Sequence, residues 1–192
     1  MKSPAASFAS VPVRRIVKQR GLTLIETCVV LAIAVVLAST AAPGFSDMLD
    51  ARRLDRAATG LASDIQFLRT ESVARNQPLR LSRYAMTGGS CYVIHTGDAA
   101  QCSCRVSGPA QCSGGAQELR TVTLADDGSV SLSGTASSVL FDPLHGTVSP
   151  TATLRVVGSR NLAGREVHHV INVMGRVRSC SPLGAMSGYR VC

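Results

Sequence analysis

Arg20-Gly-Leu-Thr-Leu-Ile-Glu-Thr-Cys-Val-Val-Leu-Ala-Ile-Ala-Val-Val-Leu-Ala-Ser-Thr-Ala-Ala42 decides how this chain is built. A basic segment ends at Gly21, and an apolar run of 21 residues, Leu22 to Ala42, follows at once. As a helix it would measure roughly 32 Å, enough to cross a bilayer. One carboxylate, Glu26, interrupts it near its start. A charge in hydrocarbon is costly and persists where it serves a function. Lys2, Arg14, Arg15, Lys18 and Arg20 precede the run with no acidic residue among them. By the positive-inside rule this holds the N-terminus in the cytoplasm and sends everything after Ala42 to the far side.

Gly21-Leu22-Thr23-Leu24-Ile25-Glu26 resembles the processing site of a type IV prepilin. The resemblance implies cleavage after Gly21 by a prepilin peptidase and methylation of the new amino group of Leu22. Phe usually stands first in the mature family members, and this chain has Leu22. The family implies that Glu26 pairs with the amine of a neighbouring subunit, so it is expected to be an assembly residue rather than a catalytic one. A buried charge tolerated only when paired is a register device. An ordinary signal anchor needs neither the glycine nor the carboxylate at this spacing. Without the leader, 20 basic residues less 5 leave 15 against 12 acidic ones, so the formal +8 becomes +3. The mature chain is only mildly basic.

Seven cysteines are many for a reducing compartment. Cys28 lies in the apolar run; Cys91, Cys102, Cys104, Cys112, Cys180 and Cys192 lie beyond it. Six in an exported domain read as up to three disulfides, with about fifteen connectivities open. Cys180 and Cys192 would close a short loop, worth on the order of 3 kcal/mol in the chain-entropy model. A zinc site from Cys102, Cys104 and Cys112 is the competing reading, but Cys-Ser-Cys spacing suits a tetrahedral site poorly. No metal and no cofactor are expected.

The 192 residues divide into a leader (1–21), an assembly helix (22–42), an amphipathic half-helix (43–78) and a β-rich domain (79–192). Pro43-Gly44 interrupts the apolar run and is expected to kink the helix. Leu54, Ala57, Ala58, Leu61, Ile65, Leu68 and Ser72 then form one stripe at helical spacing. Arg52, Arg53, Arg56, Asp64 and Arg69 fall on the opposite side, and Asn76-Gln77-Pro78 ends the helix. Strands are expected at 79–83, 91–96, 119–124, 130–132, 139–141, 152–157, 167–173 and 176–179, bounded by Gly, Ser, Pro and Asp. The fold class is α+β: a long N-terminal helix packed on antiparallel sheets. Residues 97–116 are poor in apolar side chains and read as a surface loop held by cysteines.

Leu68-Arg-Thr-Glu-Ser-Val-Ala-Arg-Asn76, Phe141-Asp-Pro-Leu-His-Gly146 and Gly175-Arg-Val-Arg178 are similar to motifs of the FimT/GspH-type minor pilins and pseudopilins. The likeness spans roughly residues 20–180 and leaves the cysteine-rich segment unmatched. It implies an inner-membrane protein with a periplasmic domain, incorporated into a pilus at the cell surface. Its partners would be other major and minor pilins or pseudopilins.

No catalytic constellation stands out in the sequence. There is no Gly-x-Ser-x-Gly elbow, phosphate-cradling loop or His-Glu-x-x-His pattern. His168 and His169 beside Glu166 suggest metal only superficially, because neighbours on a strand point to opposite faces. The chain is therefore not expected to be an enzyme.

Gly175-Arg176-Val177-Arg178 is the remaining feature. On a strand the two arginines would share a face, roughly 6–7 Å apart. Arg160, Arg165 and Arg190 lie around them in sequence, and from Pro143 onward six Arg face one acid, Glu166. A local basic surface on a nearly neutral domain is the footprint of a phosphate binder. In FimT-type pilins a Gly-Arg-x-Arg motif is associated with binding of incoming DNA during natural transformation, and the resemblance implies the same role here. The alternatives are solvated arginines, contacts to a neighbouring pilin in a structural minor pilin, or a place in the pseudopilus of a type II secretion system. With no Trp and few Tyr or Phe, base stacking is not expected. Phosphate contacts alone give weak, sequence-independent, salt-sensitive binding.

Overall fold

A long helix comes before a run of short strands. The computed structural model describes residues 21, 23–105, 108–124, 130–158 and 164–192. One helix, α1 (Leu24–Arg75), is followed by β1 (Leu79–Met86), β2 (Gly89–Thr96), β3 (Cys102–Ser103), β4 (Gln111–Cys112), β5 (Glu118–Leu124) and β6 (Val130–Gly134). Then come β7 (Ser138–Phe141), β8 (Val148–Ser149), β9 (Ala152–Gly158), β10 (Glu166–Ile171), β11 (Val177–Ser181) and β12 (Arg190–Val191). Residues 43 and 44 lie inside the helical element. The chain divides after Ala41 into two units.

In the first unit the apolar side chains face outward: Leu24, Ile25, Val30 and Leu37 are all exposed. An 18-residue window there has a mean hydropathy of 2.3 with none of it buried, a helix long and apolar enough to cross a membrane.

In the second unit the helix buries one stripe. Leu54, Ala58, Leu61, Ile65, Leu68 and Ser72 are fully buried, and Ala57 is half-buried at the margin. Removing a side chain such as Leu61 would cost about 2–5 kcal/mol. Asn76 ends the helix in a left-handed conformation, φ 49°. Its N–H returns to the Val73 carbonyl (3.1 Å) and that of Gln77 to Ser72 (3.1 Å), which satisfies the last turn.

Two five-stranded sheets share the core with this stripe. The first has the order β5-β2-β1-β7-β8 and the second β12-β11-β10-β9-β6. All pairings are antiparallel except β11 with β12. Alternation sets the inward residues: Leu79 and Leu81 on β1, Tyr92 and Ile94 on β2, Leu154 and Val156 on β9, Val167 and Ile171 on β10.

Asp64 corrects the amphipathic reading. It lies on the buried side of the helix, 5% exposed, where it accepts a hydrogen bond from the Tyr92 hydroxyl (2.8 Å) and pairs with Arg120. Arg120 in turn lies over the Phe67 ring, 4.8 Å from its centroid. Arg69, also assigned to the solvated side, is half-buried.

The cysteine-rich segment is more ordered than a simple loop. It carries the β3–β4 ribbon and two disulfides, Cys91–Cys104 and Cys102–Cys112; Cys180–Cys192 is the third. The Tyr84 hydroxyl donates to the carbonyls of Ala99 (3.1 Å) and Cys102. The ribbon thereby covers the outward face of β2, and every residue from Ser90 to Thr96 is buried. The sulfurs that a zinc site would need are consumed in disulfides.

Candidate nucleic-acid interface

The hairpin joining β10 to β11 is built by its short polar residues. Gly175 N–H bonds the Asn172 carbonyl (2.9 Å), and Arg176 N–H bonds the Asn172 side-chain oxygen (2.9 Å). Arg176 therefore sits in the turn and β11 begins at Val177, one residue later than the alternation suggests, while β10 ends at Ile171 rather than at Val173. Gly175 adopts φ +67° and is buried. A Cβ there would meet the Gly146 carbonyl oxygen at 3.0 Å, Val148 Cγ2 at 3.3 Å and Arg69 Cδ at 3.4 Å.

Three sequence motifs thus converge: the helix end supplies Arg69, the Phe141–Gly146 turn supplies Gly146, and the hairpin supplies Gly175. The Phe141–Gly146 turn is organised by Asp142. The backbone N–H groups of His145 and Leu144 donate to its carboxylate (2.9 Å each), which holds it below the usual carboxylate range. Gly175→Ala is expected to lower stability by about 1–2 kcal/mol, since only glycine takes this φ without penalty. Thermal unfolding would register it, and an unchanged midpoint would show that the turn can relax.

Beyond the turn, Arg178 stands opposite the exposed Val170, and their neighbours Val177 and Ile171 face inward. Arg190 pairs with Cys180 across the parallel edge. Arg176, Arg178 and Arg190 are all exposed, and no hydrogen bond or ion pair engages their side chains among the described residues. A groove of about 440 Å³ is lined by Val170, Arg178, Cys180, Arg190 and Cys192. Arg155 adds to this face from β9 opposite His168, a residue that strand alternation in residues 152–157 could have revealed.

Arg165 is not part of the cluster. It is half-buried just before β10, at the end of the strand remote from the hairpin. Arg160 and Leu22 lie outside the described residues.

Other candidates have structural employment. His168 Nε2 lies 3.1 Å from Glu166 Oε1 on the outer face, whereas His169 is buried on the inner face. The three tyrosines are engaged elsewhere: Tyr84 with the ribbon, Tyr92 with Asp64, and Tyr189 donating to Asp55 (3.0 Å). At the other end of the chain, Gly21 and Glu26 are exposed. The Glu26 N–H donates to Thr23 Oγ1 (3.3 Å), a helix cap whose signal, Thr-x-x-Glu, stands in the sequence.

A long N-terminal helix laid by one stripe on antiparallel sheets is the pilin-like arrangement. A family model described as type II transport protein GspH matches residues 57–175, and the chain belongs to that family. It is a minor pilin or pseudopilin, of a type IV pilus or a type II secretion system. Among solved structures, the type IV minor pilin FimU of Pseudomonas aeruginosa is similar, with TM-score 0.51 and 17% identity over 70% of this chain and 96% of that one. The minor pseudopilin EpsH of the Vibrio cholerae type 2 secretion system aligns with TM-score 0.49 and 13% identity, over 68% and 98%. No curated protein matches the chain.

Proposed function

We propose that this protein is a minor type IV pilin that binds extracellular DNA, weakly and without sequence preference, for uptake in natural transformation. The observation that carries the reading is the set of three exposed arginines with no carboxylate partner among the described residues: Arg178 and Arg190, which line one groove, and Arg176 in the turn just before β11. Unpaired guanidinium groups at this spacing suit a line of phosphates. The three tyrosines are engaged elsewhere and no aromatic side chain lines the groove, so contacts run to the backbone of DNA rather than to its bases. Two to four neutralised phosphates give micromolar affinity or weaker, with avidity among subunits supplying the rest.

The remaining assignments belong to the same reading. Cleavage after Gly21 frees Leu22 for methylation, and Glu26 docks the subunit among other pilins. The helix 22–42 anchors the protein in the inner membrane with its domain in the periplasm before assembly, and no catalysis is involved.

Full-length protein in detergent, titrated with duplex DNA at low and moderate salt, tests the reading. Arg176→Ala with Arg178→Ala is expected to weaken binding roughly tenfold or more, with melting unchanged. Full retention of affinity would move the site, for instance to the helix face bearing Arg52 and Arg56. The family description favours a second reading, a pseudopilin of a type II secretion system. Deletion separates the cases: loss of transformation with intact pili supports the first, loss of pili a purely structural pilin, and loss of secretion the pseudopilin.

A further inference from the structure

We propose that the Cys180–Cys192 disulfide is a positioning element of the anion site: it holds Arg190 at a fixed distance from Arg178. The inference rests on the reading of these arginines as phosphate contacts. Cys180 is both the register partner of Arg190 and the residue two places after Arg178 on the same strand. Arg178 and Arg190 therefore stand diagonally across one strand spacing and two residues of rise, about 8 Å between their Cα atoms. That separation lets two guanidinium groups reach successive phosphates across the shared groove.

Strand β12 has little of its own to keep it there. It has two residues, Arg190 and Val191, both exposed. A ladder of two register pairs, Cys180 with Arg190 and Ser181 with Val191, joins it to β11, and one long hydrogen bond from Cys192 N–H to the Ser181 carbonyl (3.4 Å) follows. A two-pair ladder at an exposed sheet edge, at about 1 kcal/mol net for each hydrogen bond, does little more than offset the cost of fixing the backbone of two exposed residues. Gly188, at φ 90°, precedes the strand and is in open space. Tyr189 is tied to the helix through Asp55, so Arg190 lies between two anchors, a tyrosine on one side and the disulfide on the other. With the disulfide gone, Val191 and Cys192 have no covalent tie to β11, and Arg190 loses its defined distance from Arg178.

The test uses full-length protein in detergent with two probes, a duplex oligonucleotide and inorganic tripolyphosphate. Cys180→Ser/Cys192→Ser is compared with Arg190→Ala, with the two combined, and with Cys102→Ser/Cys112→Ser as a control; Cys180→Ala/Cys192→Ala serves if the serine pair does not fold. The cysteine pair is expected to weaken binding about threefold, matching Arg190→Ala, and to lower the salt slope by about 0.9, the signature of one lost phosphate contact. The combined variant should be no weaker than either parent, because both remove the same contact. The control pair should bind as the unaltered protein does. Unchanged affinity in the Cys180/Cys192 variant, or additive losses in the combined one, overturns the inference. If the unaltered protein binds tripolyphosphate but not DNA, the DNA reading falls and the inference is judged on tripolyphosphate alone. If it binds neither, both fall.

Discussion

Asp64→Ala is expected to destabilise the domain by about 3 kcal/mol, more than any change to the exposed arginines. The carboxylate is buried, and it accepts the Tyr92 hydroxyl while pairing with Arg120. Its removal leaves a buried phenol without a partner and a half-exposed guanidinium without its counter-charge. An unpaired buried donor costs its full desolvation, whereas the intact bond returns only part of that. A loss of this size lowers the melting temperature by about 10 °C in a domain of this length. Asp64→Asn keeps an acceptor and should lose about half as much. A loss under about 1 kcal/mol would mean that water reaches the pair.

The same contacts push the Tyr92 phenol above its ordinary range, through burial first and the Asp64 charge second. The phenol must therefore stay protonated in the fold. Its contribution is complete below the unfolded value near pH 10 and is lost as pH rises beyond it.

Acid should act through His169. Burial, with the charge of His168 as the smaller cause, lowers its pKa to about 4. Its Nδ1 lies 2.9 Å from Ser179 Oγ, and its Nε2 finds no partner among the described residues. The unfolded chain takes up this proton near pH 6.5, well before the folded one does. Stability is thus full above about pH 6.5 and falls as the pH drops toward 4, by about 3 kcal/mol in all. His169→Gln, which can still reach Ser179, should flatten the profile over this interval. Chemical denaturation at pH 7, 5.5 and 4 would show it; equal slopes in the two proteins would assign the acid sensitivity to carboxylates instead.

The helix stripe from Leu54 to Ser72 was legible because helical spacing is a local property, written in consecutive residues. Asp64 was misread for the same reason. Periodicity sends a charge to solvent, while the residues that overrule it, Tyr92 and Arg120, lie 28 and 56 positions away. All eight expected strands occur, but their order in two sheets depends on distant pairings that no short pattern encodes.

The basic site divides likewise. Arg178 and Arg190 meet because β12 returns parallel to β11, and Arg165 is left apart because it sits at the opposite end of β10. The convergence of Arg69, Gly146 and Gly175 was invisible as well: each motif was readable, their contact was not. Cysteine spacing could not choose between Cys91 and Cys112 as the partner of Cys102, since that choice is made by the β3–β4 register.

The disulfide-bonded ribbon gives the domain a handedness of use. A two-sheet body ordinarily offers two outer sheet surfaces to its surroundings. Here the ribbon roofs β2 of one sheet, which is buried on both sides. The other carries no such ribbon among the described residues, with Arg155, His168, Val170 and Arg178 in adjacent columns. A partner that meets the protein broadside over β2, be it nucleic acid or another subunit, touches the ribbon, whereas one that meets the sheet of Arg178 touches the strands themselves.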